Sequence, residues 1–124
     1  MARYRMPAEW EPHLATYLVW PHKLDTWPGK FAPVPPAYAR MAAAIAEFEP
    51  IRVLVKREDE IERARALIRT AMSRADLAAR VELFAEPTND SWIRDHGPIF
   101  VNRIGGSGPA QIAPADPRRA VAER

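Results

Sequence analysis

Thirteen prolines decide where this 124-residue chain can form regular structure. Each proline fixes φ and removes a backbone donor, so it ends helices and stays out of central strands. They cluster at 28–36 and 109–117, and Pro7, Pro12, Pro21, Pro50, Pro87 and Pro98 stand between the remaining stretches. LATYLVW at 14–20 is a short apolar run bounded by Pro12 and Pro21, which reads as a buried strand. Residues 21–36, too rich in proline for regular structure, form a long loop, and long loops inside compact domains are often functional.

Downstream, the periodicity changes. Over 37–48, Tyr38, Met41, Ile45 and Phe48 recur at helical spacing and predict one apolar stripe. Pro35 and Pro36 suit the helix start, and Pro50 disfavours helical geometry at Glu49. IRVLVK at 51–56 alternates and predicts a strand. Residues 58–73 predict a second helix with Ile61, Ala64, Leu67, Ile68 and Met72 inward, and with Glu58 and Asp59 at the positive end of its dipole. VELFA at 81–85 alternates again through Val81, Leu83 and Ala85, and PIFVN at 98–102 predicts a last strand. Strands alternating with helices point to an α/β layer architecture.

Composition excludes several classes of function. Lys and Arg exceed Asp and Glu by only 18 to 16, and they are scattered, which argues against nucleic acid and against an anionic membrane surface. No stretch is apolar enough to span a bilayer, and no secretory signal follows Arg3 and Arg5, so the expected place is the cytoplasm. There is no cysteine, hence no disulfide and no thiolate ligand or nucleophile in these residues. His96 has no second His or Cys at ligand spacing, so no metal site is expected. GGSG at 105–108 lacks the strand–loop–lysine context of a phosphate loop. Beyond Gly105 there is no aromatic residue, and residues 104–124 are expected to form a low-complexity, poorly ordered tail after a domain at 1–103.

One stretch concentrates chemistry. TNDSWIRDHGPIF at 88–100 holds Asp90, Trp92, Arg94, Asp95 and His96 within a few positions. A carboxylate accepts paired N–H bonds from a guanidinium, each contributing about 1.5–3 kcal/mol. An indole face adds roughly 0.5–2 kcal/mol of cation–π attraction. Asp95 and Trp92 could therefore hold a guanidinium if the backbone here is irregular, because on a strict strand they point to opposite faces. The competing reading is structural: Arg94 and Asp95 as an ion pair, Trp92 as core, Asp90 as a turn cap. A second aromatic-rich stretch, WPHKLDTWPGKF at 20–31, carries Trp20, Trp27 and Phe31 among His22, Lys23, Asp25 and Lys30. Its charge is too low for a single-stranded nucleic-acid platform, and its tryptophans either pack the loop down or wall a neighbouring cavity.

RMPAEWEPH at 5–13, LVWPH and DTW at 18–27, AIAEFEPIRVLV at 44–55 and TNDSWIRDHGPIFV at 88–101 occur in this order. Together they resemble the N-terminal part of the agmatine deiminase family, which includes the Porphyromonas-type peptidyl-arginine deiminases, over residues 5 to about 103. The resemblance implies a partial pentein fold, a pseudo-fivefold α/β propeller of which these residues supply N-terminal blades only. It implies hydrolysis of agmatine to N-carbamoylputrescine and ammonia, with no cofactor or metal, on the way to putrescine. In that chemistry a cysteine thiolate attacks the guanidinium carbon, and a histidine serves as acid and base. Carboxylates clamp the substrate nitrogens. The family's clamp aspartate falls on Asp95, Trp92 lines the pocket, and Asp90 is a weaker substrate-site candidate and a candidate partner of Arg94. Arg94 braces the turn, since a cation repels a cationic substrate. Asp25 and Trp27 border the entrance.

The sequence departs from the family in its later parts. No catalytic residue is expected in this chain: the nucleophilic Cys is absent, and His96 does not fall on the family's catalytic His. A truncated or frameshifted reading is the expected explanation for the change of composition near Ile104. The chain alone is therefore expected to be inactive. The alternatives are a peptidyl-arginine substrate for the full-length enzyme, a non-catalytic guanidinium-binding module, and an unrelated small α/β domain. The resemblance leaves room for a homo-oligomer of the full-length enzyme.

Overall fold

The structure is a computed structural model that describes residues 3–12, 14–97, 99 and 101–104. Its elements, in chain order, are strand β1 (Arg3–Arg5), β2 (Thr16–Val19), helix α1 (Val34–Ala46), β3 (Ile51–Val55), α2 (Ile61–Ala71), β4 (Val81–Ala85), the one-turn helix α3 (Ile93–His96) and β5 (Asn102–Ile104). Short 3-10 turns occupy Leu24–Thr26, Glu58–Glu60 and Ala75–Arg80. Two compact units result, one of His13–Ile93 and one joining Met1–Pro12 to Arg94–Arg124.

The larger unit is a parallel three-stranded sheet of order β2-β3-β4. Parallel neighbours need crossover connections, and α1 and α2 supply them. Central β3 alternates as its sequence predicts: Ile51, Val53 and Val55 are fully buried, and Arg52 and Leu54 face the other way. Leu18 and Leu83 flank Val53 in register, so one sheet face is continuous apolar surface. Ile61, Ala64 and Ile68 of α2 cover that face, with Leu67 and Met72 packed at its margin, as expected. Fully burying side chains of this size contributes about 1.5–3 kcal/mol each. On the opposite face the register partners Tyr17, Arg52 and Glu82 form a polar row. The Arg52 guanidinium donates to the Tyr17 hydroxyl at 2.9 Å and to Glu82 at 3.0 Å.

Helix α1 departs from its predicted stripe. Met41 is 46% exposed and Phe48, beyond the helix end, is 85% exposed. The buried face is Ala39, Ala42, Ala43 and Ala46, with Tyr38 and Ile45 at its edge. Small side chains let α1 lie close against α2 and the sheet, and the larger apolar residues are displaced outward. The helix also begins earlier than expected, at Val34, taking Pro35 and Pro36 into its first turn, where no N–H is needed. Ala85 was expected inward and is exposed, because β4 is a sheet edge.

In the smaller unit, β1 and β5 pair antiparallel, with Arg3 opposite Ile104 and Arg5 opposite Asn102. The last strand thus lies at 102–104, not 98–102, and it includes Ile104, which was assigned to the tail. Residues 99 and 101 are not in a strand; Pro98, Phe100 and the tail from Gly105 lie outside the described residues. Arg5 forks onto Glu11 at 2.5 and 2.8 Å, and the Ala8 N–H donates to the same carboxylate at 2.8 Å.

Candidate functional site

All three strands of the parallel sheet end on one edge, and in open α/β sheets ligands gather outside the carboxyl ends of strands. Two segments leave that edge from the outer strands: the loop after β2, residues 20–33, and the segment after β4, residues 86–92. β3 lies between them, so contact between the two must cross two strand spacings, about 9–10 Å.

The loop makes the crossing with a tight turn. The Lys30 N–H donates to the Trp27 carbonyl at 3.0 Å, and Gly29 has φ +68°. Pro at the second position and a left-handed Gly at the third is the pattern of a type II turn. At the far side the Thr26 hydroxyl donates to Asp90 Oδ2 at 2.7 Å. The Ser91 N–H donates to Asp90 Oδ1 at 2.7 Å, and Lys23 Nζ stands 3.8 Å from Oδ2. Burial pushes the Asp90 carboxyl up. Thr26, the Ser91 N–H and the Lys23 and His22 charges outweigh it and hold the group below the usual carboxylate range.

Beside this polar contact lies an aromatic one. The Trp27 ring meets Phe31 at 6.0 Å, Tyr38 edge-on at 6.2 Å and Trp92 at 5.9 Å. Such pairs contribute about 0.5–1.5 kcal/mol beyond their buried area. Trp92 is still 49% exposed, so it presents open ring surface. Burial pushes the Tyr38 phenol up, with the Ser91 hydroxyl opposing and the Asp90 charge adding to the rise.

The division between units falls inside α3, so Asp90 and Trp92 belong to the larger unit and Arg94, Asp95 and His96 to the smaller. Within its own unit, the Arg94 guanidinium pairs with the Glu9 carboxylate and not with the neighbouring Asp95, the ion pair that the sequence offered. Asp95 is exposed and makes no hydrogen bond or ion pair with any described residue. Its backbone is helical and not strand-like. Asp25 is exposed in the 3-10 turn that carries Thr26. No three His, Cys, Asp or Glu side chains come together as a metal site among the described residues. Sequence reasoning missed Thr26, Lys23 and Ser91 as members of the cluster and placed Tyr38 only in a helix stripe. A residue pair 64 positions apart leaves no periodic trace in a sequence.

Residues 5–119 match the family model of the Porphyromonas-type peptidyl-arginine deiminases. Agmatine deiminase of Stutzerimonas stutzeri is 40% identical over 98 residues, and that of Pseudomonas aeruginosa is 42% identical over 98 residues. In both comparisons the match covers 79% of this chain and 24% of the relative, so the chain spans about a quarter of their length. The solved structure of an agmatine deiminase of Enterococcus faecalis catalysing its reaction superimposes with a TM-score of 0.64 at 30% identity. It covers 80% of this chain and 24% of that one.

Proposed function

Because the chain belongs to the Porphyromonas-type peptidyl-arginine deiminase family, we propose that it supplies one wall of a guanidine-hydrolysing site whose substrate is agmatine. The observation that carries this reading is the family match over residues 5–119, a range that includes Trp92-Ile93-Arg94-Asp95, together with relatives that are agmatine deiminases. Asp95 is the clamp: its exposed carboxylate has both oxygens available for guanidinium N–H groups. Trp92, in the larger unit, offers an open ring, and a cation on such a ring keeps positive charge on the carbon to be attacked. The product is N-carbamoylputrescine, and ammonia leaves. The sheet and helices described above are then the first part of a pseudo-fivefold propeller working on free agmatine in the cytoplasm.

The attacking thiolate is not among these residues, since the chain has no cysteine. The 124 residues by themselves therefore release no ammonia from agmatine. The test is a chimera in which residues 5–103 replace the matching segment of the Pseudomonas aeruginosa enzyme. It should release ammonia from agmatine, and Asp95→Asn should lower kcat/KM about 10–100-fold, the loss of one charge-assisted bond. A folded chimera without activity, or one indifferent to Asp95→Asn, would sink the reading. Assay with a peptidyl-arginine substrate separates the two substrate classes of the family.

A further inference from the structure

We propose that Asp90 and Trp27 are positioning residues that clip the loop after β2 onto the segment after β4 and thereby set the Trp92 ring. The proposal rests on the guanidine-site reading for its functional meaning, but the clip itself is a property of this chain. Three observations carry it. First, neither Asp90 oxygen is left open to a substrate: Oδ1 accepts from the Ser91 N–H and Oδ2 from Thr26, with Lys23 beside it. A carboxylate so engaged serves the fold of its loop better than it serves a guanidinium. Second, an indole follows closely on each polar partner. Thr26 precedes Trp27, Asp90 lies two before Trp92, and the rings are 5.9 Å apart at 36°. One polar and one aromatic contact form a two-point attachment, which fixes orientation as a single contact cannot. Third, Trp27 is itself held from behind by Phe31 and Tyr38, so it is a backed surface.

The chemistry explains why such a clip is useful. A cation–π contact depends on where the ring faces, and a half-exposed indole with no backing samples several rotamers. Trp27 removes that freedom before any ligand arrives, which lowers the ordering cost of binding. Asp90 secures Trp27 across the end of β3.

Two indoles at this separation couple in the far-ultraviolet circular dichroism spectrum, and the whole 124-residue chain can be measured as it is. Trp27→Phe and Trp92→Phe should each abolish the couplet, which assigns it to this pair. Thr26→Val, which removes the hydroxyl at nearly constant shape, should reduce its amplitude at least about twofold, while Thr26→Ser restores it. Asp90→Ala should act as Thr26→Val does, with the helical signal unchanged. A couplet that survives Trp92→Phe, or that is indifferent to both Thr26→Val and Asp90→Ala, overturns the clip. If Asp90→Ala unfolds the chain, the Thr26→Val and Thr26→Ser pair alone decides. An intact clip beside an inactive chimera would remove the guanidine reading and leave the clip standing.

Discussion

Glu11 shows how much one well-placed fork can do at the surface. The Arg5 guanidinium, donating through two nitrogens, and the Ala8 N–H hold its pKa down from 4.5 to about 2. A folded-state pKa below the unfolded one adds stability above the unfolded value, and that stability fades as pH falls from about 4.5 through about 2. Carboxyl-carbon NMR should therefore find Glu11 titrating near the bottom of that window, and Arg5→Gln should move the midpoint up toward the ordinary glutamate value. A wild-type midpoint at the ordinary value would contradict the fork. Asp90 is held low by the same kind of donors from a different source, so the sign is the same. Coupling between Trp27 and Trp92 should persist on acidification past the ordinary aspartate range and fall only once Asp90 is protonated. The candidate residues were unequally legible. Trp92 and Asp95 stand in one short motif, where composition alone raises the question of a cation. The Thr26 hydroxyl has no such neighbourhood, because its role depends on a strand order that no local pattern encodes.

Elements were legible where one period matched one buried face. In α2 the apolar positions are spaced for a sheet-facing stripe, and the structure buries Ile61, Ala64 and Ile68. In α1 the reading by size failed, because close packing rewards the small residue and leaves Phe48 and Met41 outside. That difference is measurable by chemical denaturation. Ile68→Ala should cost about 2–5 kcal/mol, as buried large-to-small changes do, whereas Phe48→Ala should stay within about 0.5 kcal/mol. Ala42→Leu should destabilise by about 1–3 kcal/mol through overpacking, although it adds apolar surface to a helix. Equal effects of Ile68→Ala and Phe48→Ala would mean that the helix faces are wrongly assigned. The loop turn belongs to this scale too. Gly29 has open space where a Cβ would sit but a positive φ, so Gly29→Ala should cost about 1–2 kcal/mol from backbone strain alone.

For the whole molecule, the decisive feature is what the parallel sheet leaves uncovered. The alternation of strands and helices made the α/β class readable, whereas the β2-β3-β4 order came from the structure. The β1–β5 pairing was not readable, since Arg3-Tyr4-Arg5 carries no apolar alternation and its partner is almost the length of the described chain away. The three-stranded sheet ends at β2 and β4, and no further strand pairs with either edge among the described residues. Phe84, on the outermost strand, is 44% exposed on the face opposite the helices. Unpaired strand edges template association with other chains, and an apolar side chain beside the edge adds to the drive. The family relatives are a little over three times as long, which gives their corresponding strands more chain to pack against. The isolated 124-residue chain should therefore self-associate, with a sedimentation coefficient that rises with protein concentration. Phe84→Lys places a charge on the edge strand at a half-open position, so it should shift the chain toward monomer with little loss of fold. A wild-type chain that stays monomeric across the same range, with unchanged sedimentation on Phe84→Lys, would show that β4 is protected by its own sequence and that the edge is not an interface.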